Sequence, residues 1–156
     1  TSGLLILAKD KETHKRMNKQ FSEKQVSKIY VALLEGVVRQ EKGEISLPFR
    51  LDVDHRPLQI YDEQQGKWGI TCFQRVRVER RSDGSLATRV IFLPLTGRTH
   101  QLRVHSAHGK GLGHPIKGDR LYGSGMRDRL YLHAKTLSFH HPITGVWMEF
   151  STEDPF

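Results

Sequence analysis

Cysteine and long apolar runs are the two features that this sequence has least of. Cys72 is the single cysteine, so no internal disulfide can form and a disulfide-stapled secreted domain is excluded. The longest apolar stretch, Leu4 to Ala8, is far too short to cross a bilayer, and no signal peptide stands at the start. We therefore expect a soluble, cytoplasmic protein with no membrane partner.

Internal repeats, linkers and low-complexity segments are also lacking. The chain has 156 residues and a mass of 18.0 kDa, which fits one domain. Hydrophobic residues make up 37% of it. With the glycines counted, this is close to the apolar share of an ordinary globular domain, which excludes a disordered tail, a collagen-like chain and a coiled coil.

Positive charge is abundant. Lysine and arginine together number 25 against 17 acidic residues, which gives a formal net charge of +8 and a pI near 9.8. A basic domain of this size is typically a polyanion binder, with nucleic acid as the leading partner. The alternative is a soluble protein with an excess of solvated lysines.

The apolar pattern predicts an α+β domain built on a mixed, mostly antiparallel β-sheet with a few flanking helices. Asp10 has the position of a helix N-cap, and Ser82-Asp83-Gly84 is typical of a turn in an antiparallel hairpin. We interpret Gly43–Leu58, with Pro48 and Pro57, as irregular. The predicted strands are Gly3–Lys9, Lys28–Val38, a strand from Gly69 to the turn, Leu86–Leu95, Leu130–His140 and Val146–Thr152, and the predicted helices run from the Asp10 cap to about Lys24 and from about Thr99 to Gly109.

Nine histidines raise the question of a metal site. His100 and His105 are five positions apart, which misses the four-residue spacing that places two ligands on one helical face. No carboxylate or cysteine stands beside them at the spacing of a zinc site, so we predict no metal. The glycine-rich segment 109–113 lacks the Gly-Lys-Ser/Thr ending of a phosphate loop, and no Gly-x-Ser-x-Gly elbow of a serine hydrolase occurs.

The segment Leu95–His105 places two arginines and two histidines around a glycine turn and a helix start. Arg98 lies in the turn itself, where its planar guanidinium suits bidentate pairing with a carboxylate or a phosphate. The backbone N–H groups at the helix start are also free to bind an anion. The alternative is a surface loop with solvated arginines.

Four segments, in order along the chain, resemble the motifs of one enzyme family. They are Thr1–Lys9, Lys28–Leu33, Gly97–His105 followed by His114–Asp119, and Leu130–Ala134. Together they are similar to the RluA family, the pseudouridine synthases of the large ribosomal subunit type, which isomerise uridine in folded RNA. Any one segment can occur by chance, but four in order with compatible gaps favour the family strongly.

The resemblance also identifies what the sequence does not contain. In the family the catalytic aspartate belongs to a His-Arg-Leu-Asp stretch and lies three residues before the threonine that matches Thr1. We therefore expect residues 1–156 to be most of a single pseudouridine synthase catalytic domain, truncated at the N-terminus and inactive by itself. No aspartate of this sequence stands at the matching position; its aspartates are Asp10, Asp52, Asp54, Asp62, Asp83, Asp119, Asp128 and Asp154.

The resemblance implies roles for five residues of this sequence. Tyr30 is expected to lie against the face of the target uracil and to act as the base at carbon 5, and Arg98 to form the ion pair that orients the missing aspartate. Leu132 is expected to pack against the base or the aspartate. Arg103 and His105 are expected to brace the turn or to meet RNA phosphates, and are counted with the substrate-binding residues.

The activity implied is the isomerisation of uridine to pseudouridine in ribosomal or transfer RNA. The chemistry needs no metal, nucleotide or redox cofactor, but the uridine must leave its stack, so base flipping is expected. The implied partner is structured RNA, with neither DNA nor a membrane, and the protein is expected to be monomeric. Two alternatives stay open: an RNA-binding domain of the same fold without catalysis, and a basic domain that binds a small phosphorylated ligand near Thr99.

Overall fold

The computed structural model describes residues 1–125 and 129–156; Asp128, one of the aspartates set aside above, lies outside the described residues. Within these two ranges the chain forms a single sheet of eight strands and two helices. In chain order the elements are β1 (Ser2–Gly3), α1 (Lys11–Ser22), β2 (Ser27–Glu35), β3 (Lys42–Leu51), β4 (Gln59–Tyr61), β5 (Lys67–Arg80), β6 (Leu86–Pro94), α2 (Gln101–Ala107), β7 (Leu132–His140) and β8 (Trp147–Ser151).

The strands follow the order β1-β7-β2-β6-β5-β3-β4 across the sheet, and β8 pairs with residues 136–140 of β7, on the edge where β1 pairs with residues 133–134. Among the described pairs, β1 with β7 is parallel and the rest are antiparallel. The predicted α+β fold with a mixed, mostly antiparallel sheet is therefore confirmed.

One face of the sheet carries the larger of two hydrophobic clusters. Alternate residues of the central strands point to this face, as the two-residue period of a strand requires, and α2 covers them. Their side chains are almost without exposed surface, so the middle of the sheet is a rigid base for the loops at its ends. The core includes Ala32, Leu34, Ile45, Leu47, Phe49, Phe73, Val90, Phe92, Leu102, Val104, Ile116 and Leu132.

Two local predictions from the sequence are confirmed. The Asp10 side chain accepts a hydrogen bond of 2.8 Å from the backbone N–H of Thr13 and so caps α1. The turn between β5 and β6 is closed by Asp83, whose carboxylate accepts from the N–H of Ser85, while Gly84 adopts a φ of 80°.

The prediction of a strand over Gly3–Lys9 is wrong beyond its first residue. Gly3 has a φ of 97° and ends β1, and the N–H of Leu4 makes the last bond to β7 through the carbonyl of Ala134. Leu5 and Leu7 are then 79% and 80% exposed. The apolar run indicated a buried strand, but Gly3, with its positive φ, turns the chain away from the sheet after the Gly3–Ala134 pair.

The interpretation of Gly43–Leu58 as irregular is also wrong in its first half, because β3 occupies Lys42–Leu51 between β5 and β4. Pro48 lies inside this strand, where a proline removes a backbone donor. Its carbonyl still accepts from the N–H of Asp62 at 3.0 Å. The strand persists because Ile45, Leu47 and Phe49 alternate into the core and offset that loss.

Candidate active site

A cleft of about 550 Å³ opens where the N-terminal residues, β2 and the turn after β6 meet. Four of the five predicted site residues line it: Tyr30, Arg98, Arg103 and Leu132. Thr1 lines the same cleft, so the first and second family motifs converge here with the third and the last.

Tyr30 lies in the middle of β2, where the pairing with β7 shifts register between Ile29 and Tyr30. Its backbone is opposite Phe92 on one side and Ala134 on the other. The side chain is half-buried against the core at the edge of the cleft. Burial raises the pKa of the Tyr30 hydroxyl, which is therefore neutral at pH 7.

The turn that carries Arg98 is held by a buried glutamine that the sequence analysis did not single out. The amide oxygen of Gln101 accepts from the hydroxyl of Thr96 at 2.7 Å and from the N–H of Arg98 at 3.0 Å. Its amide nitrogen donates to the carbonyl of Ile70 and the hydroxyl of Thr71, both at 2.9 Å. The position of Gln101 inside the Gly97–His105 motif was the sequence signal that could have identified it. A buried amide with four partners fixes the loops around it.

The Arg98 side chain extends from this turn along the start of β5, where its Nε lies 3.4 Å from the carbonyl oxygen of Trp68. No carboxylate within residues 1–125 and 129–156 forms a salt bridge with it. An unpaired guanidinium at the mouth of a cleft is placed to bind an incoming anion. Arg98 thus borders the same cleft as Tyr30 and Thr1.

Arg103 lines the cleft, but its hydrogen-bonding groups face inward. Its Nε and Nη2 donate to the two carboxylate oxygens of Asp119 at 2.8 and 2.6 Å. Asp119 has no exposed surface and also accepts from the N–H groups of Leu121 and Tyr122. Burial acts to raise the pKa of Asp119, but these hydrogen bonds outweigh it and hold the pKa below its ordinary value. This pair braces α2 against the loop after Gly118.

The structure does not bring His105 into the cleft. The residue faces the core from α2, has no exposed surface, and meets the ring of Phe49 edge-on with centroids 5.7 Å apart. Burial lowers the pKa of His105 to about 4, so the ring is neutral at pH 7. Since no RNA phosphate can reach it, its place among the substrate-binding residues is corrected to a packing role.

Leu132 and Lys28 complete the cleft wall. Leu132 is 5% exposed and lies in β7 opposite Ala32, which presents an apolar surface to the cleft. Lys28 was given no role from the sequence, although it belongs to the Lys28–Leu33 motif. Its Nζ lies 6.0 Å from the centroid of the Phe21 ring, and burial lowers the pKa of its ammonium group. Both side chains border the cleft.

Two classes of site are not indicated by the part of the chain that the structure describes. No group of three or more His, Cys, Asp or Glu side chains there is arranged to hold a metal ion. No helix in the same residues is long and apolar enough to span a membrane.

Comparisons with known proteins agree with the motifs. Residues 1–108 match the sequence model of the RNA pseudouridylate synthase family. The dual-specificity RNA pseudouridine synthase RluA of Vibrio parahaemolyticus is 47% identical over 146 residues, covering 91% of this chain and 57% of that protein. The RluA proteins of Pasteurella multocida and Escherichia coli are 39% and 38% identical, each covering 100% of this chain and 70% of its own length.

The fold agrees as well. Human RNA pseudouridylate synthase domain containing 1 superposes with a TM-score of 0.80 at 34% identity, covering 96% of this chain and 63% of that one. Human RNA pseudouridylate synthase domain containing 4 has the same fold, with a TM-score of 0.68 at 23% identity. The chain spans 57% of the length of the Vibrio relative. On the family match and on full-length identities near 40%, the chain belongs to the RluA family of RNA pseudouridine synthases.

Proposed function

We propose that this protein converts uridine to pseudouridine in RNA, with ribosomal or transfer RNA as its substrate. The observation that carries the proposal is the convergence of Tyr30, Leu132, Arg98 and Thr1 on one cleft. The relatives named above are dual-specificity RNA pseudouridine synthases, and a net charge of +8 suits a polyanionic substrate. We expect a monomer that acts on RNA and on neither DNA nor a membrane surface.

The acidic residue of the reaction is proposed to lie three positions before Thr1. An extended chain advances at most about 3.6 Å per residue, so that aspartate lies within about 11 Å of Thr1 at the cleft wall. Burial in a cleft favours the neutral form of a carboxyl group, whereas a nearby cation favours the carboxylate. Arg98 supplies that cation, and its planar fork fixes the direction of the carboxylate as well as its charge.

The reaction is an isomerisation, so the product has the composition of uridine: the hydrogen of carbon 5 is lost and N1 gains a hydrogen. The aspartate attacks the nucleoside or takes a proton from the sugar, and the bond between uracil N1 and ribose C1′ breaks. The uracil then turns, and carbon 5 forms the new bond to C1′ as the aspartate leaves the nucleoside or returns the sugar proton. Carbon 5 finally loses its proton, which restores the conjugation of the ring, and N1 gains one. A neutral Tyr30 hydroxyl accepts the carbon 5 proton while its own proton passes to solvent, so Tyr30 acts as a proton relay.

Rotation of the uracil requires room and an unstacked base. A duplex holds the base between its neighbours, so the nucleotide must be extruded before carbon 5 can reach the ribose. A cleft of about 550 Å³ has the size of a site for one small organic molecule. Tyr30 and Leu132 offer it an aromatic and an apolar surface, against which a uracil can pack on either face.

Release of tritium from RNA that contains [5-³H]uridine tests the proposal, because carbon 5 loses its hydrogen only if it becomes bonded to ribose. The 156-residue chain extended by His-Arg-Leu-Asp and two further residues, so that the aspartate lies three positions before Thr1, is expected to release tritium. The same extension with asparagine in place of that aspartate, and the unextended chain, are expected to release none. RNA binding without release from the aspartate-bearing chain would instead identify a non-catalytic RNA-binding domain of this fold.

A further inference from the structure

A second groove, of about 340 Å³, adjoins the cleft and shares the Gly97–Arg98 turn with it. Its floor is the end of β3, residues 49–51, and its sides include Lys67 at the start of β5 and Thr99. A ligand that fills the cleft and continues past Arg98 therefore enters this groove.

The groove is lined by three cations, and no carboxylate lies among the described residues that line it. Arg50 is already neutralised, since its Nε lies 2.5 Å from a carboxylate oxygen of Asp62. Lys67 and Arg98 form no salt bridge with any carboxylate in residues 1–125 and 129–156. The groove therefore presents the uncompensated charge of Lys67 beside Arg98, which the proposed function pairs with the aspartate.

An exposed lysine is usually just solvated, and the comparison with Lys110 shows how this case differs. Lys110 donates to the carboxylate of Glu63 and the hydroxyl of Tyr61, both at 2.8 Å, and so has its charge compensated on the protein. Lys67 instead stands in a concave wall beside a turn that Gln101 holds in place. A concave site with an uncompensated cation favours an anion over water.

We propose that this groove binds the RNA phosphodiester that adjoins the uridine in the cleft, with Lys67 as the residue that contacts the phosphate. The proposal rests on the proposed function, because that function places the uridine on the other side of Arg98. A nucleotide and its neighbouring phosphate are one covalent ligand, and two cavities that share one wall fit the two parts of it. Phosphate contacts position a nucleic acid without reading its sequence.

Binding of a labelled RNA stem–loop with one uridine in its loop tests the assignment, measured by fluorescence anisotropy between 50 and 200 mM salt. Lys67→Gln is expected to weaken binding about fivefold and to reduce the slope of log affinity against log salt by about 0.7 to 0.9. Lys11→Gln is the matched control, since Lys11 is an exposed lysine at the far end of α1 from Phe21. Equal losses in the two variants, or no loss in Lys67→Gln, would overturn the assignment.

A neutral methylphosphonate next to the loop uridine locates the contact. Wild-type protein is expected to bind this RNA about fivefold more weakly than the unmodified RNA, whereas Lys67→Gln binds both equally. Equal sensitivity of both proteins would place Lys67 elsewhere on the RNA and contradict the proposal. Selective displacement of RNA from wild type by inorganic phosphate, at matched ionic strength, would assign the groove to a free phosphorylated ligand instead.

These binding measurements are separate from turnover. If Lys67→Gln binds RNA as wild type does and tritium release is normal, the phosphate subsite is refuted and the proposed function still holds. Retention of the Lys67 and methylphosphonate effects without any tritium release would do the reverse, and would indicate an RNA-binding domain that uses the same groove.

Discussion

Arg103 and Asp119 join α2 to the loop after Gly118 through two parallel hydrogen bonds of 2.8 and 2.6 Å. The aspartate has no exposed surface and Arg103 borders the cleft, so this pair sets the position of the cleft wall from inside the protein. A bidentate pair of this kind fixes the angle of the guanidinium as well as its distance. The pair therefore holds the loop against the helix.

Asp119→Asn should lower the free energy of unfolding by about 3 kcal/mol, because it leaves the Arg103 guanidinium without its counter-charge in a largely buried place. Urea unfolding monitored by tryptophan fluorescence measures this change. Glu63→Gln is the control, since the Lys110–Glu63 pair is exposed on both sides and its loss should change stability far less. Similar losses of unfolding free energy in the two variants would show that the buried pair stabilises the protein no more than the exposed pair does.

Gly3→Ala should displace the N-terminal segment from the cleft. Gly3 has a φ of 97°, and a Cβ atom there would lie 2.2 Å from the carbonyl oxygen of Ala134, so β1 could no longer pair with β7. In the aspartate-bearing chain we expect tritium release to fall on the order of 100-fold, with RNA affinity retained. Gly145→Ala is the control, because Gly145 has a φ of 73° but open space around it and lies in the last hairpin. Turnover unchanged by Gly3→Ala would contradict the placement of β1.

Acidification should destabilise the protein through His105. The ordinary pKa of 6.5 applies to the unfolded chain, and burial lowers the folded value to about 4, so between these values the unfolded state binds a proton that the folded state does not. The neutral His105 ring makes its full contribution to the free energy of unfolding above pH 6.5. This contribution is lost as the pH falls towards 4, by about 3 kcal/mol in all. Proton NMR of the His105 ring follows the titration directly, and urea unfolding at pH 7 and pH 4.5 measures the loss. A midpoint near 6.5 would contradict the buried, neutral ring.

Tyr30→Phe should separate binding from chemistry in the aspartate-bearing chain. The ring remains available to pack on the uracil, so RNA affinity should stay within about twofold, while loss of the hydroxyl should lower tritium release about 100-fold. Tyr131→Phe is the control, because Tyr131 packs on Phe156 and does not border the cleft. Equal turnover in Tyr30→Phe would show that the hydroxyl does not accept the carbon 5 proton.

Local patterns in the sequence predicted the local structure well. The Asp10 cap, the turn at Asp83 and the last hairpin were all visible because each depends on neighbouring residues. The strand β3 was missed because Pro48 argues against a strand, whereas the core contacts of Ile45 and Leu47 that sustain it come from distant parts of the chain.

In the candidate site too, some features could be predicted from local sequence motifs and others depend on how distant segments pack. The family motifs pointed to Tyr30, Arg98 and Leu132, and all three border one cleft. The sequence did not show which face of α2 packs against the core. His105 was therefore counted with the substrate-binding residues although it is buried. The groove beside Lys67 forms where β3, β5 and the Arg98 turn meet, and only the folded sheet brings these segments together.

The rate of tritium release by Arg98→Lys tests the central claim, that Arg98 orients a carboxylate at this cleft. Lysine keeps the positive charge but lacks the planar fork, so in the aspartate-bearing chain we expect release to fall about 100-fold while the Kd for RNA stays within about twofold. Turnover equal to that of the unsubstituted chain, or a loss of RNA affinity as large as the loss of turnover, would contradict the claim.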